Sequence, residues 1–407
     1  MLVNFSVENY GPIRDKQTLS FEAQKSAHLE DEYVINANGL RLLKFAIIFG
    51  ANASGKSTII EALRFLYDLI LYPNEKKSDE LIFTPFLFDE TSNKKNTILS
   101  IDFLQNDARY YYSVEFNRTH IVSEELFLIG KNERKTNVFK RSTDSQKQVS
   151  KIKFGREFKI SKPAIEILEL HTLWNTTVLS SFTKVNLEQK ELKDSTDWIN
   201  NHLFWTNTPD DDFSNMVTDF IDLGIIKKEK VLEIIQKADF NINDILYKEL
   251  KTSESDDTTK EFVIRTSHKV KNSSYPLPFG MESDGTKRFY SLAGLLEMAR
   301  VEPNLFAVDE IDASLHPDLV IHYLLMFMEN VKQSQLIITT HNREILDDKN
   351  LFRNDAIWFT NKNEDGAAEL YSLDDFDSAV IRNTSNILNA YKSGKLKAVP
   401  KTKDFYL

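Results

Sequence analysis

Gly50-Ala-Asn-Ala-Ser-Gly-Lys-Ser57 lies between an apolar run, Phe45-Ala-Ile-Ile-Phe49, and a helical pattern, Thr58-Ile-Ile-Glu-Ala-Leu-Arg-Phe-Leu66. The segment fits G-x-x-x-x-G-K-[ST]. Its setting of strand, loop and helix is the one that pattern needs to cradle phosphate. Gly50 and Gly55 let the backbone curl so that several N–H groups converge. The helix beginning near Lys56 adds the positive end of its dipole at the same place. On this reading Lys56 reaches the β- and γ-phosphates of a nucleotide and the Ser57 hydroxyl holds Mg²⁺.

A P-loop alone leaves kinases, GTPases and helicases open. Three later segments narrow the choice. Asn304-Leu-Phe-Ala-Val-Asp309-Glu310 is an apolar strand ending in two carboxylates. Asp309 is placed to orient Mg²⁺, and Glu310 to polarise an attacking water. Leu336-Ile-Ile-Thr-Thr340-His341 is a second apolar strand, with a histidine at its carboxyl end. Ligands of open α/β sheets gather at that end, so His341 is expected against a γ-phosphate. Met281-Glu-Ser-Asp-Gly-Thr-Lys-Arg288 precedes a helix whose apolar stripe is Phe289, Leu292, Ala293 and Leu296. Ser283 suits its N-cap, and Gly285 permits close backbone approach. His316 lies near a motif and is assigned no chemistry.

The chain of 407 residues is 41% hydrophobic and 28% charged, as a globular protein of two or three units would be. No stretch approaches the roughly 18 apolar residues of a membrane span, and Asn4 and Glu8 interrupt the first apolar residues, so a signal peptide is not expected. There is no cysteine, which excludes disulfides and Cys-ligated zinc and is compatible with the cytoplasm. The net charge of −10 argues against a passive coat on nucleic acid. Local contacts stay open. Residues 131–162 carry eleven Lys/Arg against three Asp/Glu, and the tail adds Lys392, Lys395, Lys397, Lys401 and Lys403. Such a segment reads either as a solvated face or loop, or as a surface for phosphate backbone or a partner.

Along the chain, residues 1–25 alternate with a Gly-Pro break, predicting two strands and a turn. Thr97–Leu104, Tyr110–Phe116 and Ile121–Ile129 predict a β-meander. Helical spacing marks Ala164–Leu173, Ser195–Trp205, Asn215–Leu223 and Lys227–Ala238. Thr252–Thr259 is polar and acidic and predicts a loop. Strand and helix patterns resume from Phe262 to Trp358.

The order of these motifs resembles the ABC-type ATPase head. Asn52 within the P-loop, the opening Val3-Asn-Phe-Ser-Val-Glu-Asn9, and Asp309-Glu-Ile-Asp-Ala-Ser-Leu-His-Pro317 resemble its SMC/RecF/OLD branch. Ala390-Tyr-Lys-Ser-Gly-Lys-Leu-Lys-Ala-Val-Pro400 is similar to stand-alone AAA family ATPases of bacterial anti-phage systems. The likeness covers about 1–130 and 262–400. It implies an α/β head with a mixed sheet, an antiparallel β-subdomain and an inserted helical subdomain. The corresponding boundaries are 1–160, 161–260 and 261–407. It further implies ATP and Mg²⁺ sandwiched between two heads. One chain would supply Gly50, Asn52, Ser54, Gly55, Lys56, Ser57, Thr58, Asp309, Glu310 and His341. The other would supply Ser283 and Gly285, with Asp312 and Ser314 at the interface. A homodimer or higher oligomer follows, with nucleic acid open as a partner.

Two features depart from the family. Glu282 and Asp284 flank Ser283, and Thr286 stands where glutamine is usual. Two carboxylates near a triphosphate are unfavourable unless turned away or neutralised by Lys287 or Arg288, which predicts slow or partner-gated hydrolysis. The Q-loop glutamine has no clear counterpart, Gln105 being the nearest. About 65 residues follow His341, without a nuclease pattern or carboxylate cluster. Destructive chemistry is therefore expected from a separate effector, a nuclease or toxin.

Overall fold

Alternation at the amino end builds the first sheet. β1 (Leu2–Glu8) and β2 (Gln17–Ser20) pair antiparallel across the Gly-Pro turn. A bulge between Leu2 and Asn4 breaks the alternation. Leu2, Phe5 and Val7 therefore enter the main core, while Val3 joins a small separate cluster with Leu42 and Leu104. The computed structural model describes residues 1–206, 213–238, 240–250, 260–347, 351–376 and 387–399. The polar stretch 252–259, Pro400, Lys401 and Lys403 lie outside them.

A short helix α1 (Glu30–Tyr33) and a ribbon of β3 (Val34–Ala37) and β4 (Leu40–Leu43) lead into β5 (Phe45–Gly50). Every residue of β5 is buried, as in a strand covered on both faces. α2 (Lys56–Leu71) follows the P-loop. Then come β6 (Thr97–Gln105), β7 (Ala108–Phe116), β8 (Ile121–Ile129), β9 (Lys135–Asp144) and β10 (Val149–Phe154). These strands and the first two form an antiparallel sheet in the order β10-β9-β8-β7-β6-β1-β2. Half of the basic segment is thus strand, β9 and β10. Lys135 and Lys140 lie over the rings of Tyr111 and Phe127, so aromatic faces accommodate the charge along the sheet.

The segment 161–260 holds α3 (Lys162–His171), α4 (Val178–Phe182), α5 (Lys190–His202), α6 (Ser214–Asp222) and α7 (Lys228–Lys237). It also contributes strands. β11 (Leu203–Thr206) occupies the end of the stretch read as helix through Trp205. β12 (Ile242–Leu250) joins β13 (Glu261–Val270) and β14 (Ser273–Pro278) in a three-stranded antiparallel sheet. Next are α8 (Asp284–Val301), β15 (Leu305–Val308), α9 (Pro317–Asn330) and β16 (Gln335–Thr340). β17 (Ile357–Lys362), β18 (Ala368–Ser372) and α10 (Ile387–Lys392) complete the described elements.

The second large sheet has the order β11-β15-β16-β5-β17-β18. It is parallel from β11 to β17, with an antiparallel last pair. A continuous hydrophobic core joins it to the antiparallel sheet. Gln335 staples the two. Its Oε1 accepts from Leu2 N at 2.6 Å, and its Nε2 donates to Leu2 O at 2.9 Å and Leu43 O at 3.2 Å. Among the described residues no helix is long and apolar enough to cross a membrane. Because β5, β15 and β16 are parallel neighbours, their carboxyl ends open on one side.

Candidate active site

The loop after β5 turns sharply into α2. Gly55 has φ +103°, where any side chain would be strained. A Cβ at Gly50 would fall 2.4 Å from Thr360 Oγ1 and 2.6 Å from Ser54 Oγ. Ser54 is buried and shares a 2.6 Å hydrogen bond with Thr360 on β17. The 16-residue helix α2 has no side-chain cap, so its dipole and first N–H groups face the loop. The Lys56 ammonium spans the turn, donating to Gly50 O and Ala51 O at 3.1 Å each. Burial holds its pKa below that of an ordinary lysine, against the opposing pull of Glu310, Asp309 and Asp312.

The carboxyl ends of β15 and β16 complete the cluster. His341 Nδ1 lies 3.5 Å from Lys56 Nζ, and its Nε2 lies 3.1 Å from Glu310 Oε1. Glu310 has a left-handed backbone, φ +45°. Thr339 Oγ1 accepts from Glu310 N at 2.8 Å and donates to Asp309 Oδ1 at 2.5 Å. Asp312 Oδ1 accepts from Thr340 Oγ1 at 2.7 Å and from His341 N at 3.3 Å. Two successive threonines thus fix both acidic residues of the strand end and the turn beyond them.

A cleft of about 580 Å³ opens over this cluster. It is lined by Asn52, Gly55, Lys56, Ser57, Thr58, Glu310 and His341. Its other wall was not legible in the sequence. Gly11 and Pro12 come from the turn after β1, Thr84–Phe88 from the connection after α2, and Lys362 from the end of β17. No motif marks these residues, which reach the cleft only through the packing of the two sheets. Gln105 lines a different cleft with Pro303 and Gln333, which precede β15 and β16, so it stands at the opposite end of those strands.

Ser283 and Gly285 do not line the cleft. Ser283 caps α8, its Oγ accepting from Thr286 N at 3.2 Å. A Cβ at Gly285 would meet Ser314 O at 2.7 Å, so the glycine lets α8 approach the turn beyond Asp312. The flanking carboxylates are handled separately. Glu282 is turned away, onto Thr266 and His268. Asp284 is exposed and pairs with Lys287 at 3.4 Å. Arg288 donates to Asp309 O at 2.9 Å and Glu310 O at 3.3 Å.

The glycine cradle, the uncapped helix end and the buried lysine fit a nucleotide's phosphates. The oxygen donors Ser57 and Asp309 suit Mg²⁺, which is commonly bound through one or two carboxylates together with substrate phosphates. The described residues contain no group of three or more His, Cys, Asp or Glu side chains that could hold a metal ion.

Fold and site together define a P-loop ATPase domain. The chain belongs to the family described as "AAA domain, putative AbiEii toxin, Type IV TA system", which it matches over residues 45–347. The curated proteins contain no match to it. Similar solved structures include an SMC head bound to the C-terminal winged-helix domain of ScpA. That pair has 17% identity, coverage of 91% of this chain and 97% of that one, and TM-score 0.44. The SMC head domain from Thermotoga maritima gives 14%, 91%, 98% and 0.41 in the same order. The Smc head from Pyrococcus furiosus, with an extended coiled coil and bound to the C-terminal domain of ScpA, gives 14%, 97%, 99% and 0.42.

Proposed function

We propose that two copies of this chain sandwich ATP between their heads, hydrolyse it, and thereby control a separate nuclease or toxin in a bacterial anti-phage complex. One observation carries the two-headed part. The cleft gathers Lys56, Ser57, Glu310 and His341 but leaves out Ser283 and Gly285 of the same chain. A second copy would bring those two residues to the γ-phosphate. The effector part is supported by the toxin–antitoxin wording of the family description.

In this reading Gly50, Asn52, Ser54, Gly55, Lys56, Ser57 and Thr58 hold the triphosphate. Lys56 offsets its charge, as phosphoryl transfer requires. Ser57 and Asp309 would hold Mg²⁺, which neutralises phosphate charge when bound. Glu310 takes the proton side of an incoming water. His341 touches both Glu310 and Lys56, so it fixes the carboxylate relative to the ammonium.

Glu310→Gln keeps the shape of the site and removes its base. Turnover should fall about a hundredfold or more while ATP still binds. The variant, expressed with its neighbouring genes and isolated with ATP, should elute as a dimer carrying a stoichiometric nuclease or toxin. A monomer with ATP bound would sink the two-headed reading. A dimer without a second protein would sink the effector reading.

A second reading is a DNA-maintenance ATPase, favoured by Lys140, Lys151 and Lys153 near the free edge of the antiparallel sheet, where Lys140 and Lys153 are cross-strand neighbours. It requires ATP turnover stimulated by duplex DNA and binding that weakens steeply with salt. A third, a scaffold in which hydrolysis is vestigial, requires Glu310→Gln to keep biological function and Lys56→Ala to lose it.

A further inference from the structure

We propose that Glu282 and His268 are positioning residues for Ser283, and that through them the small sheet β12–β13–β14 sets the rate of hydrolysis. The inference rests on the reading of Ser283 as the group offered to a partner head's nucleotide.

Glu282 immediately precedes the N-cap of α8, and its side chain is only 7% exposed. A carboxylate in that position needs donors. Both come from β13: Thr266 Oγ1, and His268 Nε2 at 2.6 Å, meet the same Glu282 oxygen. Residues 266 and 268 are two apart on one strand, so both present to one face. β13 is the middle strand of its sheet, hydrogen-bonded on both sides. It is the stiffest reference the sheet offers.

Ser283 has little else to hold it. Its hydrogen bonds are local: its Oγ accepts from Thr286 N and pairs with Thr286 Oγ1, and its carbonyl accepts from Lys287 N. Behind it, Phe279 packs edge-on to Tyr290 with ring centroids 5.2 Å apart, and Tyr290 Oη meets Thr218 Oγ1 on α6 at 2.9 Å. These contacts anchor the approach to the cap and the body of α8. The cap itself takes its place from Glu282.

The far side of the same helix turn reaches the catalytic strand, because Arg288 donates to the Asp309 and Glu310 carbonyls. A shift of β13 is therefore delivered to two places: to Ser283 through Glu282, and to the backbone of Glu310 through α8 and Arg288. Small displacements matter here, since misplacing a reacting group by about 1 Å can cost as much as a hundredfold in rate. The short bonds from Thr266 and His268 to one nearly buried carboxylate oxygen give that side chain a fixed direction.

The test uses the full chain and three variants: Glu282→Ala, Glu282→Gln and His268→Gln. Two readouts are taken: amide hydrogen exchange over residues 283–288 without nucleotide, and kcat alongside the affinity for a fluorescent ATP analogue. Glu282→Ala should speed exchange at the first turn of α8 and lower kcat about tenfold, with nucleotide affinity unchanged. His268→Gln keeps an N–H donor and should retain most of the wild-type rate, as should Glu282→Gln, which keeps the acceptor oxygen. Wild-type kcat in Glu282→Ala overturns the proposal, whether or not exchange changes. If Glu282→Ala loses nucleotide binding, it has misfolded, and Thr266→Val, which removes one donor at nearly constant volume, is read by the same criteria. A wild-type chain without ATP turnover defeats the ATPase reading instead, and the exchange data then report by themselves on the hold of Glu282 over the first turn of α8.

Discussion

Thr339 holds both acidic residues at the end of β15 with one hydroxyl. It accepts from the amide of Glu310, whose backbone is left-handed, and donates to the carboxylate of Asp309. Valine has the same shape and neither bond. Thr339→Val should therefore leave the fold intact, cost about 1–3 kcal/mol for the unpaired groups, and lower turnover about tenfold by loosening Glu310. Steady-state turnover and chemical denaturation check both halves; wild-type turnover would show that Glu310 is held some other way. The residues that meet in the cluster divide sharply in how far they could be foreseen. Glu310 and His341 follow the ends of apolar strands and Lys56 opens the helix after a third, β5; parallel packing gathers those ends, and so their convergence was legible. Thr339, Thr340 and Thr360 were not. A threonine within a strand reads as a strand former. The Ser54–Thr360 bond joins positions 306 residues apart, which no local pattern encodes.

At the scale of elements, the wall of the cleft depends on one asparagine. Asn9 has φ +54° and is buried. Its Oδ1 accepts from Phe86 N at 3.1 Å, and its Nδ2 donates to Ser92 O at 2.9 Å and Lys95 O at 3.0 Å. It thereby ties the turn after β1 to the connection that rims the cleft. Asn9→Ala loses these bonds and strains the backbone, so stability should fall by about 2–3 kcal/mol and nucleotide binding should weaken. Asn9→Gly accepts the backbone and should lose less. Denaturation curves and nucleotide titrations of the two variants decide it; equal losses would mean that the backbone angle is irrelevant. The elements that sequence reasoning missed share a cause. β9 and β10 are dense in charge, and on β9 Lys135 and Lys140 lie over aromatic rings of β7 and β8. β11 follows α5 without a Gly or Pro, and a four-residue strand is too short for periodicity to separate from a helix end.

For the whole molecule, the proposed sandwich between identical heads would make the two halves of each site separable. Lys56→Ala spoils a chain's own phosphate cradle; Ser283→Arg spoils what it would offer its partner. Each variant alone should be inactive. Mixed in equal amounts they should recover about a quarter of wild-type turnover, because half the dimers are mixed and one site of two in each is whole. No recovery would mean that both residues act within one chain. The strand order has a further consequence, during synthesis. β5 carries the P-loop, yet its neighbours are β16 and β17, drawn from the far end of the chain. A ribosome adding 5–20 residues each second needs roughly 15–60 s to pass from Gly50 to Gln335. Throughout that interval the apolar strand Phe45–Phe49 has no sheet to join. The nascent head would therefore leave that strand exposed to association until its neighbours are made. An abandoned translation product would be inert toward nucleotide rather than partly active.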